Sequence, residues 1–398
     1  MNNNCYNSIK QPIDEKNVDN VVLYIFLVLP DLHHIIMGKL KICVYAISKN
    51  EEKFVERWMN SVSEADEVFL LDTGSTDNTV KLLKEFGAKV TVKEIKPWRF
   101  DVARNESLKL VPDDYDICVC MDIDEVISKG WRNELEKIWK NGINHLRYNY
   151  NWSHDENNKP IVNFYIEKIH SRHNFTWTHP VHEVLKFTGE KEIWFTTNNI
   201  TVDHYPDNTK SRSSYLPLLE LSVKENPDDD RNVHYLGREY MYYGKYNEAI
   251  DTLIKHLSLK SSTWKDERCA SMRFIARCYK NLNRYDEAKM WLDKAMMEAP
   301  HLRDPFVERA LLDYELNDFE NVRKYSLEAL KIKNHPKTYI NEPFSFDYTI
   351  YDLLSISEYY LGNIKDSLKW INLAIEMAPD NERFLNNKIL IQKKMKTT

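Results

Sequence analysis

Two apolar runs of this chain stop on carboxylates, and chemistry can be built where they stop. The first reads Glu67-Val68-Phe69-Leu70-Leu71-Asp72 and continues Thr73-Gly74-Ser75-Thr76-Asp77; the second reads Ile117-Cys118-Val119-Cys120-Met121-Asp122-Ile123-Asp124. Each has the pattern of a buried strand. In an open parallel sheet, ligands bind just past the carboxyl ends of the strands. Carboxylates buried there cost free energy unless a cation or hydrogen-bond donors compensate them. Oxygen ligands of this kind suit Mg²⁺ or Mn²⁺, which stay partly hydrated and bridge to phosphates. Asp-x-Asp alone is a common spacing, and it recurs at Asp114-Tyr115-Asp116 and Asp228-Asp229-Asp230. Those two lie in polar loops and read as solvated acidic turns, whereas Asp122 and Asp124 terminate an apolar strand. At the first run Gly74 permits a tight turn and Ser75 to Asp77 can open a helix. That segment alone fits either an ordinary strand–helix turn or a nucleotide contact at Asp72.

The elements that must position these residues follow from periodicity. Apolar runs predict strands over 41–47, 67–71, 89–94 and 117–121. Helical spacing predicts helices over 52–63, from Asp77 through Phe86, over 101–110 and over 130–139. Strands alternating with helices imply parallel crossovers and a Rossmann-like sheet. Over 145–205 the pattern changes to short aromatic and β-branched runs, which suggest mixed or antiparallel strands added to that sheet. From about Ser213 a repeat takes over. Its copies are marked by Gly237, Tyr240, Tyr246, Ala249 and Leu253; by Ala276, Tyr279, Tyr285, Ala288, Leu292 and Ala295; by Ala310, Phe319, Val322 and Ala329; and by Leu354, Leu361, Ile364 and Ala374. Ala288 and Val322 are 34 residues apart, the period of the tetratricopeptide helix pair. Small Ala positions let paired helices approach, and Tyr or Phe fills the gap between neighbours. Wider spacing elsewhere predicts an inserted loop over 337–348, and 380–396 reads as a polar terminal capping helix.

Bulk properties limit the function classes. A chain of 398 residues predicts two domains, and 42% apolar with 29% charged residues fits a globular protein. The net charge of −6 implies no general affinity for nucleic acid. The apolar run 21–29 is too short to span a bilayer, so residues 1–37 read as a weakly ordered extension with no membrane span, and Met37 is a candidate start. Cys43, Cys118 and Cys120 read as small buried hydrophobes. With no disulfide framework, a reducing, cytoplasmic location is expected.

Four segments in order resemble the family 2 glycosyltransferases with the GT-A fold: Ser48-Lys49-Asn50-Glu51-Glu52, Leu71-Asp72-Thr73-Gly74-Ser75-Thr76-Asp77-Asn78-Thr79, Phe100-Asp101-Val102-Ala103-Arg104-Asn105 and Met121-Asp122-Ile123-Asp124-Glu125. Val181-His182-Glu183 extends the match. The resemblance is closest to the subgroup with tetratricopeptide repeats behind the catalytic domain, which includes enzymes similar to bacterial peptide S-glycosyltransferases. It implies an α/β Rossmann-like GT-A domain over 38–212 followed by all-α tetratricopeptide-like repeats over 213–398. It implies a nucleotide-sugar donor, most readily a UDP-sugar, and Mn²⁺ or Mg²⁺. Residue by residue, Ser48, Asn50 and Glu51 would line the nucleotide pocket, Asp72 would contact the base, and Arg104 and Asn105 would face the nucleotide. Asp122 would sit near ribose and metal, and Asp124 would bind the metal. The Glu-Asp pair and Gln-x-x-Arg-Trp signature of many processive members are missing, which disfavours synthesis of a long polysaccharide.

An inverting transferase needs a carboxylate to take the acceptor's proton. Glu183 is the expected base with His182 beside it, against a structural His-Glu pair; Glu125 is a second candidate that stands close to the metal. His204 could be a third metal ligand or a phosphate donor, and Lys210 and Arg212 could clamp a diphosphate. Two other readings compete. Cys118 to Val126 matches the opening of a haloacid-dehalogenase-type phosphatase, whose first Asp is a nucleophile, although three strands precede it here. A non-catalytic repeat scaffold is the other, although such a chain should have lost its acidic residues. The repeats are therefore expected to recognise an acceptor protein or glycan, or to form a homodimer.

Overall fold

The computed structural model describes residues 39–139, 142–207, 209–210 and 213–397. The expected extension over 1–37 and the expected clamp residue Arg212 lie outside the described residues.

Four strands form the parallel side of the sheet: β1 (Ile42–Ser48), β2 (Glu67–Asp72), β3 (Lys89–Val92) and β4 (Ile117–Cys120). β1 runs parallel to both β2 and β4, and β2 parallel to β3. The crossovers carry helices α1 (Val55–Ser61), α2 (Thr79–Glu85) and α3 (Phe100–Leu108). β1 shows why its sequence is apolar throughout. Ile42, Val44 and Ala46 face a cluster with Val55, Trp58 and Leu83, while Cys43 and Tyr45 face another with Leu108 and Trp177. A parallel strand covered on both faces needs such a run.

The sheet then turns mixed, as the aromatic segment suggested. After β5 (Glu125–Ile127) and α4 (Trp131–Ile138) come β6 (His145–His154), β7 (Pro160–Ser171), the hairpin of β8 (Phe175–Thr178) and β9 (Val184–Phe187), and β10 (Trp194–His204). The eight-stranded order is β3-β2-β1-β4-β7-β6-β10-β5, with β8 and β9 pairing separately. β7 is antiparallel to β4, and β10 antiparallel to β5. β5 is a three-residue strand that the sequence did not announce; pairing Glu125 with His204 brings the end of β10 back beside the Asp122–Asp124 turn.

Helices fill the second half: α5 (Tyr215–Glu225), then pairs α6 (Asp230–Tyr242) with α7 (Tyr246–Ser258), α8 (Lys265–Asn281) with α9 (Tyr285–Glu298), α10 (Asp304–Glu315) with α11 (Phe319–Lys331), α12 (Thr349–Tyr360) with α13 (Ile364–Met377), and α14 (Glu382–Thr397). The four sequence repeats are these four pairs. Ala249, Ala288, Ala295, Ala310, Ala329 and Ala374 are all fully buried. Gly237 serves the same end: a Cβ there would lie 2.5 Å from Leu253 Cγ. Among the described residues no helix is long and apolar enough to cross a membrane.

The inserted segment between α11 and α12 folds back against the sheet. Arg273 donates to Ile340 O at 2.7 Å, and Arg277 bonds Glu342. At its tip the Lys337 ammonium stands over the Tyr165 ring and reaches Asn149. Arg99, paired with Glu225 and Asp101, ties α5 to the start of α3.

Candidate active site

Sheet and repeats line an open cavity of about 2130 Å³. That is larger than the several hundred Å³ of an ordinary small-molecule site, so two substrates have room. Ser48, Asn50, Glu51, Asp122 and Asp124 line its sheet side, with Arg104, His182, Glu183, His204 and Lys210. Tyr215, Arg231, Tyr235, Trp264, Glu267 and Tyr339 line the repeat side.

The turns after β1 and β2 are laced together. Asn50, at φ +55°, accepts from Thr76 N and donates its own N–H to Ser75 Oγ; Glu51 N donates to Thr79 Oγ1. Asp72 is wholly buried and does not line the cavity. One oxygen accepts from Gly74 N and Ser75 N, the other from the hydroxyls of Ser48 and Ser75. It closes the turn in which Gly74 stands at φ +109°. Asn105 is likewise spent inside the protein: its amide clamps Trp177 N, Trp177 O and the Thr176 hydroxyl of β8.

At the end of β4, Asp122 is bound on both oxygens, by Arg104 at 2.7 Å and by Lys168 at 2.7 Å. Burial works against its charge, but the two cations outweigh burial and hold the carboxyl well below the usual range. A carboxylate held on both oxygens is poorly placed to act as the nucleophile of a phosphatase. Lys168 also bonds Glu125, which is fully buried and accepts from Tyr150 OH and Asp122 N. Burial pushes the Glu125 carboxyl upward, Lys168 opposes it, and the Asp122 charge adds to the rise. One amine thus serves two carboxylates, and Asp122, which also has Arg104, is the better compensated.

Asp124 meets His204 instead, with Oδ2 and Nε2 3.3 Å apart. The His204 Nδ1–H donates to Trp152 O at 3.1 Å, which turns Nε2 toward Asp124. Two ligands each about 2.1 Å from one octahedral cation lie about 3 Å apart, so this pair fits a small divalent ion and Asp122 does not. Burial lowers the His204 pKa, but the hydrogen bond to Asp124 raises it on balance. Glu51 stands close enough for the charges of Asp124 and Asp122 to add to the rise that burial gives it, against its partner Lys210.

Glu183 sits on the β8–β9 turn. Its Oε1 accepts from Arg104 Nε at 2.5 Å, so one guanidinium joins Glu183 to Asp122. Among the described residues no hydrogen bond occupies its Oε2. The turn is strained, with His179 at φ +78° and His182 at φ +52°, and the repeats hold it: Asn232 Nδ2 bonds His179 Nδ1 at 2.8 Å, and His182 stacks on Tyr235 at 4.2 Å. Sequence reasoning missed Lys168. The signal was there, a charged Glu167-Lys168 pair inside the apolar run from Phe164 to Ile169.

The α/β domain thus brings the acidic end of β4 to a cavity whose other wall is made by the tetratricopeptide-like helix pairs. Residues 43–188 match the model of glycosyl transferase family 2 and residues 274–301 that of the tetratricopeptide repeat, so the chain carries a family 2 glycosyltransferase domain followed by such a repeat. It is 24% identical to an uncharacterised glycosyltransferase of Rickettsia typhi over 64% of this chain and 76% of that one. A counterpart in Rickettsia bellii is 39% identical over 25% of this chain and 33% of that one. The prophage-derived glycosyltransferase SunS of Bacillus subtilis is 25% identical over 64% of this chain and 62% of SunS. The chain thus spans three quarters of the first relative, one third of the second and under two thirds of SunS.

Proposed function

We propose that the chain transfers a sugar from a UDP-sugar to a protein, glycan or lipid-linked acceptor, with inversion at the anomeric carbon. The observation that carries this is the convergence, on one cavity, of the Asp124–His204 pair with the Arg104-bound Glu183. The turns bearing Ser48, Asn50 and Glu51 line the donor end, and Asp72 supports that end from beneath by fixing the turn. A divalent cation held by Asp124 and His204 would neutralise charge on the departing diphosphate. Lys210, which bonds Glu51 and Lys49 O, stands at the same end and can move to the diphosphate. Arg104 and Lys168 keep Asp122 ionised and fixed. Glu183 takes the acceptor's proton on Oε2 while Arg104 holds Oε1.

The domain division is 38–212 for transfer and 213–398 for acceptor recognition. A homodimer through the repeats is a further part of this reading, checked by light scattering. A cytoplasmic setting suits the five described cysteines, all buried and free.

A thermal-shift panel of nucleoside diphosphates with and without Mn²⁺ tests the proposal, since a ligand that binds only the folded state raises its stability. UDP with Mn²⁺ should give the largest shift, and Asp124→Asn should abolish the metal-dependent part while leaving the unliganded melting temperature near that of the parent. No response to any diphosphate would refute the reading.

A further inference from the structure

The repeat-side wall of the cavity holds a cation that nothing in the transfer mechanism uses. Arg231, in the first turn of α6, lines the cavity. Its guanidinium stands 4.9 Å from the Tyr235 ring and 5.8 Å from the Tyr339 ring. Its Nε is shut off from solvent and has no hydrogen-bond partner among the described residues, and what the guanidinium meets is the two rings. The carboxylates whose charge it feels, Glu267 and Glu167, are committed elsewhere. Glu267 accepts from Tyr339 OH and stands 3.4 Å from His256 Nε2, and Glu167 accepts from Arg147 at 2.7 Å. An arginine has five N–H donors in a planar fork suited to carboxylate and phosphate. Arg231 is half-buried, and its partnerless Nε, shut off from solvent, carries a desolvation cost that an anion bound to the guanidinium would offset.

The position relates this cation to the chemistry. Tyr235 stacks on His182, which adjoins Glu183, and Arg231 lies against the same ring. Trp264 and Tyr339, whose ring centroids are 5.7 Å apart, add apolar faces from the neighbouring helix start and the inserted segment. We infer that Arg231 and the Tyr235–Tyr339–Trp264 surface form the acceptor subsite, and that the acceptor brings a carboxylate or phosphate to Arg231 one aromatic ring away from Glu183. The word acceptor rests on the transferase reading; the anion preference does not.

The test uses the full chain with the donor end filled by saturating UDP and Mn²⁺, and three probes followed by ligand-observed NMR: D-glucuronate, glucose 1-phosphate and uncharged D-glucose. At least one anion should bind ten times more tightly than glucose, and the tighter of the two says whether carboxylate or phosphate is preferred. Arg231→Gln should erase the preference while keeping the UDP–Mn²⁺ thermal shift, and Arg231→Lys should keep part of it. Should Arg231→Gln fail to fold, competition in the parent protein decides: glucuronate and glucose 1-phosphate must displace each other from one site. Equal binding of all three probes, a preference that survives Arg231→Gln, or failure of the anions to compete would overturn the inference. Loss of the UDP–Mn²⁺ shift in the parent protein would refute the transferase reading alone.

Discussion

Replacing Lys168 by Met removes the one amine that serves both Asp122 and Glu125. Lys168 is largely buried, with 12% of its side chain exposed, and Glu125 is wholly buried. Asp122 keeps Arg104, so the burden falls on Glu125. Removing one partner of a buried ion pair costs about 3–5 kcal/mol, and the retained Arg104 places this case near about 3 kcal/mol. The deficit must also depend on pH. Without the amine, burial and the Asp122 charge both drive the Glu125 carboxyl further above its ordinary value. A group whose folded pKa is raised stabilises fully below its unfolded pKa of about 4.3 and loses that contribution as pH rises through the folded pKa. The deficit of Lys168→Met should therefore grow as pH rises above about 4.3, by at most about 1.4 kcal/mol per pH unit, and level off once pH passes the raised folded value. Urea unfolding followed by tryptophan fluorescence reads it, because Trp58, Trp131 and Trp177 are buried in the sheet domain. Lys168→Met with Glu125→Gln should recover most of the loss and flatten the slope. A deficit under about 1 kcal/mol that is flat with pH, or a double variant as unstable as the single, would refute this account of the carboxylate pair.

Glu183→Gln should lower transfer by about 10²–10⁴-fold with the UDP–Mn²⁺ thermal shift unchanged; unaltered turnover would remove Glu183 as the base. Tyr235→Ala frees the strained β8–β9 turn, so kcat should fall by up to about 10²-fold while donor binding persists, and crystals of the variant should show His182 displaced. His170 and His234 are fully buried, and burial drives each pKa down to about 3. A depressed folded pKa gives stability that is present above about 6.5 and lost as pH falls through the folded value. Each should therefore contribute up to about 1.4 kcal/mol per pH unit of acid destabilisation. His170→Gln should flatten that slope for the sheet domain and His234→Gln for the repeats, both read by acid titration of denaturant midpoints.

The alternation of strands and helices, the four repeat pairs and the terminal helix were legible because each rests on local periodicity. That Asp124 and His204 meet was not legible locally: β5 explains it, since it pairs residue 125 with residue 204. Asp72 shows where local reading stops. A carboxylate that faces a ligand and one that closes its own turn have the same sequence around them, and only the bonds to Ser48, Gly74 and Ser75 tell them apart. Asn105 fails for the same reason, because its partners on β8 lie about seventy residues away. Lys168 and Arg231 were hidden differently. Each belongs to an element whose type was readable, but which neighbour its side chain meets depends on β7 pairing with β4 and on α6 packing against the inserted segment.

That inserted segment constrains how this protein can change length. A tetratricopeptide array ordinarily grows or shrinks by whole units, because each unit touches only the next. Here Tyr339 and Lys337 return to the sheet from beyond the third pair, with α6 to α11 between the two anchor points. Adding or deleting one unit in that span would shift the returning tip by about the 10 Å spacing of packed helices and widen the cavity on that side. Duplication is tolerable only past α12, so the number of units ahead of it is locked to the enzyme it serves.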